Sequence, residues 1–163
     1  MCALRRCGQR DEDLTVGDFA KRAAVLTLHA DGMRARLWKG STPIRVVIDK
    51  NLDVPATHHL LDGSVKTILI NQKKENRANN IDYIKINFQE NPATQILKVL
   101  YQQNIQSVII EGGAKTLQYF IQSNLWDEAR ILTSSTVWKE GVAAPQLHEA
   151  HLAIDTQLKK EDR

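Results

Sequence analysis

Two rhythms of apolar residues run along this 163-residue chain. Short β-branched runs mark strands, and three-to-four-residue spacings mark helices. Pro43-Ile44-Arg45-Val46-Val47-Ile48-Asp49 is a run of the kind found in strands buried on both faces. Val65–Ile70 predicts a second apolar strand, and Leu61-Asp62-Gly63-Ser64 before it predicts a turn, because Gly accepts positive φ and Asp bonds its own backbone. Asn71–Asn80 reads as a polar loop, and Tyr83–Phe88 alternates as a third strand. The clearest helix follows: Asn91 is a good N-cap, Pro92 suits the first turn, and Ile96, Leu97, Leu100 and Tyr101 share one face. Ser107-Val108-Ile109-Ile110 predicts a strand, Glu111-Gly112-Gly113 a turn, and the residues to about Ser123 a second helix. Ala129–Thr133 and Leu152–Leu158 predict further strands. Nearer the start, Asp18 is placed to cap a weak helix over Phe19–Leu28, with Ala20, Ala23, Ala24 and Leu28 in it and Gly32 after it. The alternation of strand, helix, strand, Gly-rich turn and helix predicts an α/β domain, with a parallel sheet and covering helices.

Composition changes this picture at one place. Residues 1–36 hold six Arg, one Lys and six Ala, with neither Ile nor Asn. From Leu37 onward there are four Arg, eleven Lys, fourteen Ile and nine Asn. A core is assembled from both ends of a chain, so so sharp a seam is unusual within one domain. It fits a disordered leader, a segment of different origin or a reading-frame error upstream of Leu37, as well as an Arg/Ala-rich helical stretch. Elsewhere the composition is ordinary: 42% apolar and 25% charged residues suffice for a buried core. A net charge of +3 is too small and too scattered to argue for nucleic acid. Apolar runs of four or five residues neither span a bilayer nor form a signal peptide. Cys2 and Cys7 make a poor disulfide framework, and a reducing cytoplasmic setting is expected.

Candidate chemistry concentrates at Val108-Ile109-Ile110-Glu111-Gly112-Gly113-Ala114. Open α/β sheets bind ligands outside the carboxyl ends of their strands. Two glycines bring the backbone close to a ligand, and the helix that follows offers free N–H groups and a positive dipole end, which suit a pyrophosphate. Glu111 at the strand tip is placed to bond a substrate or position a proton. The same residues also fit a tight turn whose glycines serve packing alone, and the run is neither the dinucleotide fingerprint nor a Walker A loop. Other features carry less. His148 and His151 are three apart without a third ligand, His58-His59 fit a loop, and Cys2 and Cys7 fall short of a zinc site, so no metal is expected. Trp38, Trp126 and Trp138 read as packing residues.

Several blocks, in order and at matching separations, resemble the reductase domain of bacterial bifunctional riboflavin biosynthesis proteins. They are Arg36-Leu37-Trp38-Lys39-Gly40, Pro43–Lys50, His59-Leu60-Leu61-Asp62-Gly63, Asn104–Gly113, Leu125-Trp126-Asp127-Glu128 and Gly141–Leu147. The resemblance covers about two-thirds of the chain. It implies a dihydrofolate-reductase-like fold, three-layer α-β-α with a mostly parallel sheet. It also implies NADPH-dependent reduction of a 5-amino-6-(5-phosphoribosylamino)uracil-type substrate to the ribitylamino product, with hydride delivered to C1′. By position, Glu111 and Arg36 would contact the substrate. Gly113, Ala114, Lys115, Thr116, Leu117, Gln118 and Tyr119 would line the NADPH phosphates, and Lys50 would lie beside the cofactor. No catalytic residue is assigned, and a homodimer is the family-based expectation.

The chain also departs from the family. The family domain opens with a strand of the type PxVxxKxAxSxDG, and none is evident before Leu37; Ala30-Asp31-Gly32 only faintly matches a turn that follows it. No match to the family's zinc-binding deaminase domain is expected within these residues, and Lys159–Arg163 falls where the family continues into a closing strand. The expected organisation is therefore an atypical, poorly packed leader over 1–36, a reductase-like domain over 37–158, incomplete on its N-terminal side, and a charged tail over 159–163. The alternative function is a truncated or frame-shifted, non-catalytic remnant that binds at most nucleotide or a partner subunit.

Overall fold

A computed structural model describes residues 2–7, 23–27, 43–131 and 140–147, with side chains in the last two ranges. Its strands are β1 (Cys2–Cys7), β2 (Ala23–Thr27), β3 (Ile44–Ile48), β4 (Thr67–Asn71), β5 (Asn76–Ala78), β6 (Ile81–Lys85), β7 (Ser107–Glu111) and β8 (Glu128–Ile131). Its helices are α1 (Pro92–Gln102) and α2 (Ala114–Gln122), with a short 3-10 turn at His59–Leu61. The strands form one sheet in the order β5-β6-β4-β3-β2-β7-β1-β8. The five central strands, β6, β4, β3, β2 and β7, are parallel, while β5 and β1 pair antiparallel.

The β-branched runs occupy the interior as their composition requires. All of β4 is buried, as are Arg45, Val46 and Val47 in the middle of β3. Val46, Ile68 and Ile70 meet Ile96 and Leu100 of α1, Val108 and Ile110 of β7, and Leu117 and Phe120 of α2 in one apolar core. Both helices thus cover the same face of the sheet. On the other face Val47 packs with Leu60 and Leu61 of the 3-10 turn, where the buried Arg45 donates Nη1–H to the Leu60 carbonyl at 2.9 Å. Helix α1 begins as its sequence predicts: the Asn91 side chain accepts the Thr94 N–H at 3.2 Å and Pro92 opens the first turn.

Three expectations are corrected. Ala23–Thr27, predicted within the helix Phe19–Leu28, is a strand between β3 and β7. Alanine's helix propensity is a fraction of a kcal/mol per residue, and hydrogen bonding on both edges of a strand outweighs it. Together with Cys2–Cys7 it brings two strands into the sheet from before Leu37, where the sequence shows none. The polar loop Asn71–Asn80 contains β5, which pairs with β6 across Asn79 and Asn80 at φ 50° and 62°. Two consecutive positive φ values, tolerated best by Asn and Gly, make the two-residue turn of a tight hairpin. The third strand runs over Ile81–Lys85 and not Tyr83–Phe88, because its parallel register places Ile81 beside Thr67. Leu152–Leu158 and Lys159–Arg163 lie outside the described residues. The Asp62-Gly63 turn forms as predicted, with Gly63 at φ +72° and the Asp62 carboxylate accepting the Ser64 N–H at 2.8 Å.

Candidate functional site

The carboxyl ends of the parallel strands line one edge of the sheet. Asn71 closes β4, Asp49 and Lys50 follow β3, Thr27 closes β2, and Glu111 closes β7. Thr27 is in register with Val47 on one side and Glu111 on the other. At the usual strand spacing, the β3 and β7 exits stand about 10 Å apart, with Thr27 between them. From β2 the chain builds outward through β3, β4 and β6, then returns to add β7 on the opposite side of β2. Strand order therefore reverses beside the Glu111-Gly112-Gly113 turn, the point where open α/β sheets leave a crevice.

The two glycines of this turn differ. A Cβ on Gly112 would lie 2.8 Å from Thr116 Cβ and 3.0 Å from its Cγ2, so Gly112 is required for α2 to pack close to its strand. A Cβ on Gly113 would meet nothing within 4 Å. Gly113 also has an ordinary φ of −64°, so neither packing nor backbone geometry demands a glycine there. It is the N-cap of α2 and supplies no side-chain cap to the first N–H groups. The first turn holds no acidic residue and does hold the exposed Lys115, so nothing on α2 offsets the positive end of its dipole.

The other positions singled out from sequence divide by burial. Glu111 is half-buried at the strand tip, Lys115 and Tyr119 are exposed, and Ala114 and Gln118 are half-buried. Thr116 and Leu117 are buried, the latter in the apolar core, so their side chains are engaged in packing. Lys50 is exposed, its Nζ 5.7 Å from the centre of the Phe88 ring. Phe88, with Gln72 and Lys85, lines an open groove of about 480 Å³ at the β4 and β6 exits. Arg36, His148, His151, Trp38 and Trp138 lie outside the described residues. Trp126 packs against the core, and His58 caps the 3-10 turn by accepting the Leu60 N–H at Nδ1. Among the described residues no cluster of three His, Cys, Asp or Glu is placed to hold a metal, and no helix is long and apolar enough to cross a membrane.

Sequence reasoning missed Thr27, whose strand carries a helical composition, and Gln72. The Gln72 N–H donates to the Lys50 carbonyl at 3.1 Å, and its Nε2 donates to Asn51 Oδ1 at 2.9 Å, tying the β3 and β4 exits together. No periodicity marks a single polar residue after a buried strand; only the pairing of β3 with β4 shows it.

Comparison with known proteins agrees with this architecture. The model of the RibD C-terminal domain matches residues 11–141, beginning inside the Arg/Ala-rich segment and spanning the whole strand-exit edge. A 2,5-diamino-6-ribosylamino-4(3H)-pyrimidinone 5′-phosphate reductase of Archaeoglobus fulgidus is 25% identical over 116 residues, 68% of this chain and 53% of that protein. The riboflavin biosynthesis protein RibD of Aquifex aeolicus is 25% identical over 109 residues, 64% of this chain and 31% of that one. RibD of Bacillus amyloliquefaciens is 29% identical over 94 residues, 53% of this chain and 25% of that one. The chain thus spans about half, or less, of these relatives' lengths. A crystal structure of a diaminohydroxyphosphoribosylaminopyrimidine deaminase/5-amino-6-(5-phosphoribosylamino)uracil reductase from Thermotoga maritima has a TM-score of 0.50 at 22% identity, over 63% of this chain and 30% of that one. That likeness concerns the fold, which is the α/β, dihydrofolate-reductase-like architecture with a mostly parallel sheet. With most of its length matched by one family model, the chain belongs to the RibD C-terminal domain family.

Proposed function

We propose that this chain is the reductase of a riboflavin pathway. It would reduce a 5-amino-6-(5-phosphoribosylamino)uracil-type substrate to the ribitylamino product with NADPH, as a cytoplasmic protein and a homodimer. The observation that carries the reading is the open space in front of Gly113, at the N-terminus of α2 and at the sheet's switch point. A glycine that neither packing nor φ requires is accounted for by a ligand approaching the backbone there. The N–H groups of Gly113, Ala114 and Lys115 precede the first intrahelical bonds, and with the Lys115 ammonium they suit a pyrophosphate. Thr116 and Leu117 contribute from beneath, by fixing α2 against the sheet.

The nicotinamide, when bound, supplies the hydride for C1′ of the opened ribosylamine. The chain's own residues bind and orient. Glu111, half-buried and about two strand spacings from the β3 exit, holds the substrate by accepting from its hydroxyl or amino groups. Lys50 offers a cation to a phosphate from the β3 side, and Arg36 is the second substrate contact. The names of the curated relatives, one a pyrimidinone 5′-phosphate reductase, support the substrate class.

The test is a fluorescence titration of the purified chain with NADPH, followed by mass-spectrometric detection of the ribitylamino product. Saturable binding that Gly113→Asp abolishes, with product formed by the unaltered chain, supports the reading. Absence of saturable binding overturns it and leaves the non-catalytic alternative standing.

A further inference from the structure

We propose that Asp49 is a positioning residue for Lys50, holding the turn after β3 in the one shape that presents the lysine to the dinucleotide; this rests on the role given to Lys50 above. Asp49 is 7% exposed, a burial that a carboxylate tolerates only when its oxygens are satisfied. Both are used locally: Oδ1 accepts the Asp53 N–H at 2.9 Å, and Oδ2 accepts the Val54 N–H at 3.0 Å. The Asp49 carbonyl accepts the Leu52 N–H at 3.2 Å. These three bonds close a turn over Asp49–Val54 from which Lys50 and Asn51 project into solvent.

The turn is not one the sequence prefers by itself. Leu52 sits at φ 60°, in the left-handed region that disfavours a bulky side chain. Without the Asp49 clasp the chain has a local reason to relax, and Lys50 is the residue such relaxation would displace. The far side of the turn is anchored through Gln72, which bonds both the Lys50 carbonyl and the Asn51 side chain. The clasp leaves the lysine's charge available. Both Asp49 oxygens face backbone N–H groups, and among the described residues no carboxylate lies within ion-pair distance of Lys50. Asp49 therefore shapes the loop without neutralising the cation next to it.

A merely structural carboxylate predicts a different outcome from a positioning one, and a double-mutant cycle separates them. NADPH affinity is measured by fluorescence on the full chain for Lys50→Ala, Asp49→Ala and the double variant, with melting curves recorded for each. Lys50→Ala and Asp49→Ala are each expected to weaken binding about tenfold, and the double variant to bind no more weakly than Lys50→Ala alone. Asp49→Asn, which keeps one acceptor oxygen, is expected to fall between Asp49→Ala and the unaltered chain, and it carries the cycle should Asp49→Ala not fold. Additive losses, or unchanged affinity in the Asp49 variants, overturn the positioning role and leave the dinucleotide reading intact. Failure of the unaltered chain to bind NADPH overturns both.

Discussion

Gly112 and Thr116 stand so close that a Cβ on the glycine would lie 2.8 Å from the Cβ of the threonine, a separation that real Cβ atoms do not show. Thr116 is buried in the first turns of α2 and cannot swing aside. Gly112→Ala is expected to destabilise the fold by about 1–3 kcal/mol, as overpacking does in a close-packed interior. Urea unfolding checks this, and an unchanged midpoint would show that α2 can slide away from β7.

Gly113, one residue on, gives the opposite expectation. Its backbone already has the extended geometry of an N-cap, so Asp fits without strain and caps the helix better than Gly. Gly113→Asp is expected to raise stability by roughly 0.5 kcal/mol, from the cap bond and the dipole together. The same change fills the approach to the backbone and sets a carboxylate where a phosphate would bind, so NADPH affinity is expected to vanish. A melt and a titration on one variant test both halves.

Glu111 stands half-buried at the tip of β7, where the proposed reading sets the substrate. Glu111→Gln preserves shape and removes the charge, so it is expected to lower kcat/KM for the phosphoribosylamino pyrimidine by about tenfold to a hundredfold. NADPH affinity is expected to hold, because the first-turn N–H groups are untouched. Steady-state kinetics beside the titration read this, and equal losses in both would move Glu111 to the cofactor side.

At the other end of the strands, the buried Asp82 carboxylate meets Lys66 Nζ at 2.6 Å and Arg77 Nε at 2.8 Å. The partners are unequal, with Lys66 29% and Arg77 76% exposed. Arg77→Ala is expected to cost under about 1 kcal/mol, since a solvated cation contributes little. Asp82→Ala leaves the half-buried Lys66 unpaired and is expected to cost about 1–3 kcal/mol. Thermal unfolding of the two variants checks the order, and a reversed order would mean that Arg77 holds the β5–β6 hairpin by more than its charge.

Much of the middle of the chain was legible without coordinates. The apolar runs Pro43–Asp49 and Val65–Ile70 read as buried strands and the structure has them at Ile44–Ile48 and Thr67–Asn71, while Asn91-Pro92 with the Ile96 and Leu100 spacing opens the amphipathic helix α1. The same holds for the Asp62-Gly63 turn, where one residue requires positive φ and its neighbour supplies the bond. The errors fall where local preference is weak or misleading. Ala23-Ala24 favours helix in isolation, and only the slot between β3 and β7 makes it a strand. The Asn79-Asn80 turn was hidden inside a polar stretch because β5 is exposed throughout and gives no hydrophobic signal.

The sequence by itself determined the α/β class, much of the apolar core and the presence of a glycine turn between Glu111 and α2, but it set Tyr101 on the buried face of α1, where the structure leaves it 81% exposed. Side-chain periodicity, capping chemistry and glycine content are local, so each can be read in a window of a few residues. Which glycine serves packing and which faces open space was decided by the tertiary structure, because that depends on how near Thr116 comes to each Cβ direction. Strand order, too, is a tertiary property. Placing β2 between β3 and β7 sets Lys50, Thr27 and Glu111 along one edge, although 23 residues separate Thr27 from Lys50 and 61 separate Lys50 from Glu111 in sequence. Hydrogen bonding between strands brings together what no window of the sequence contains.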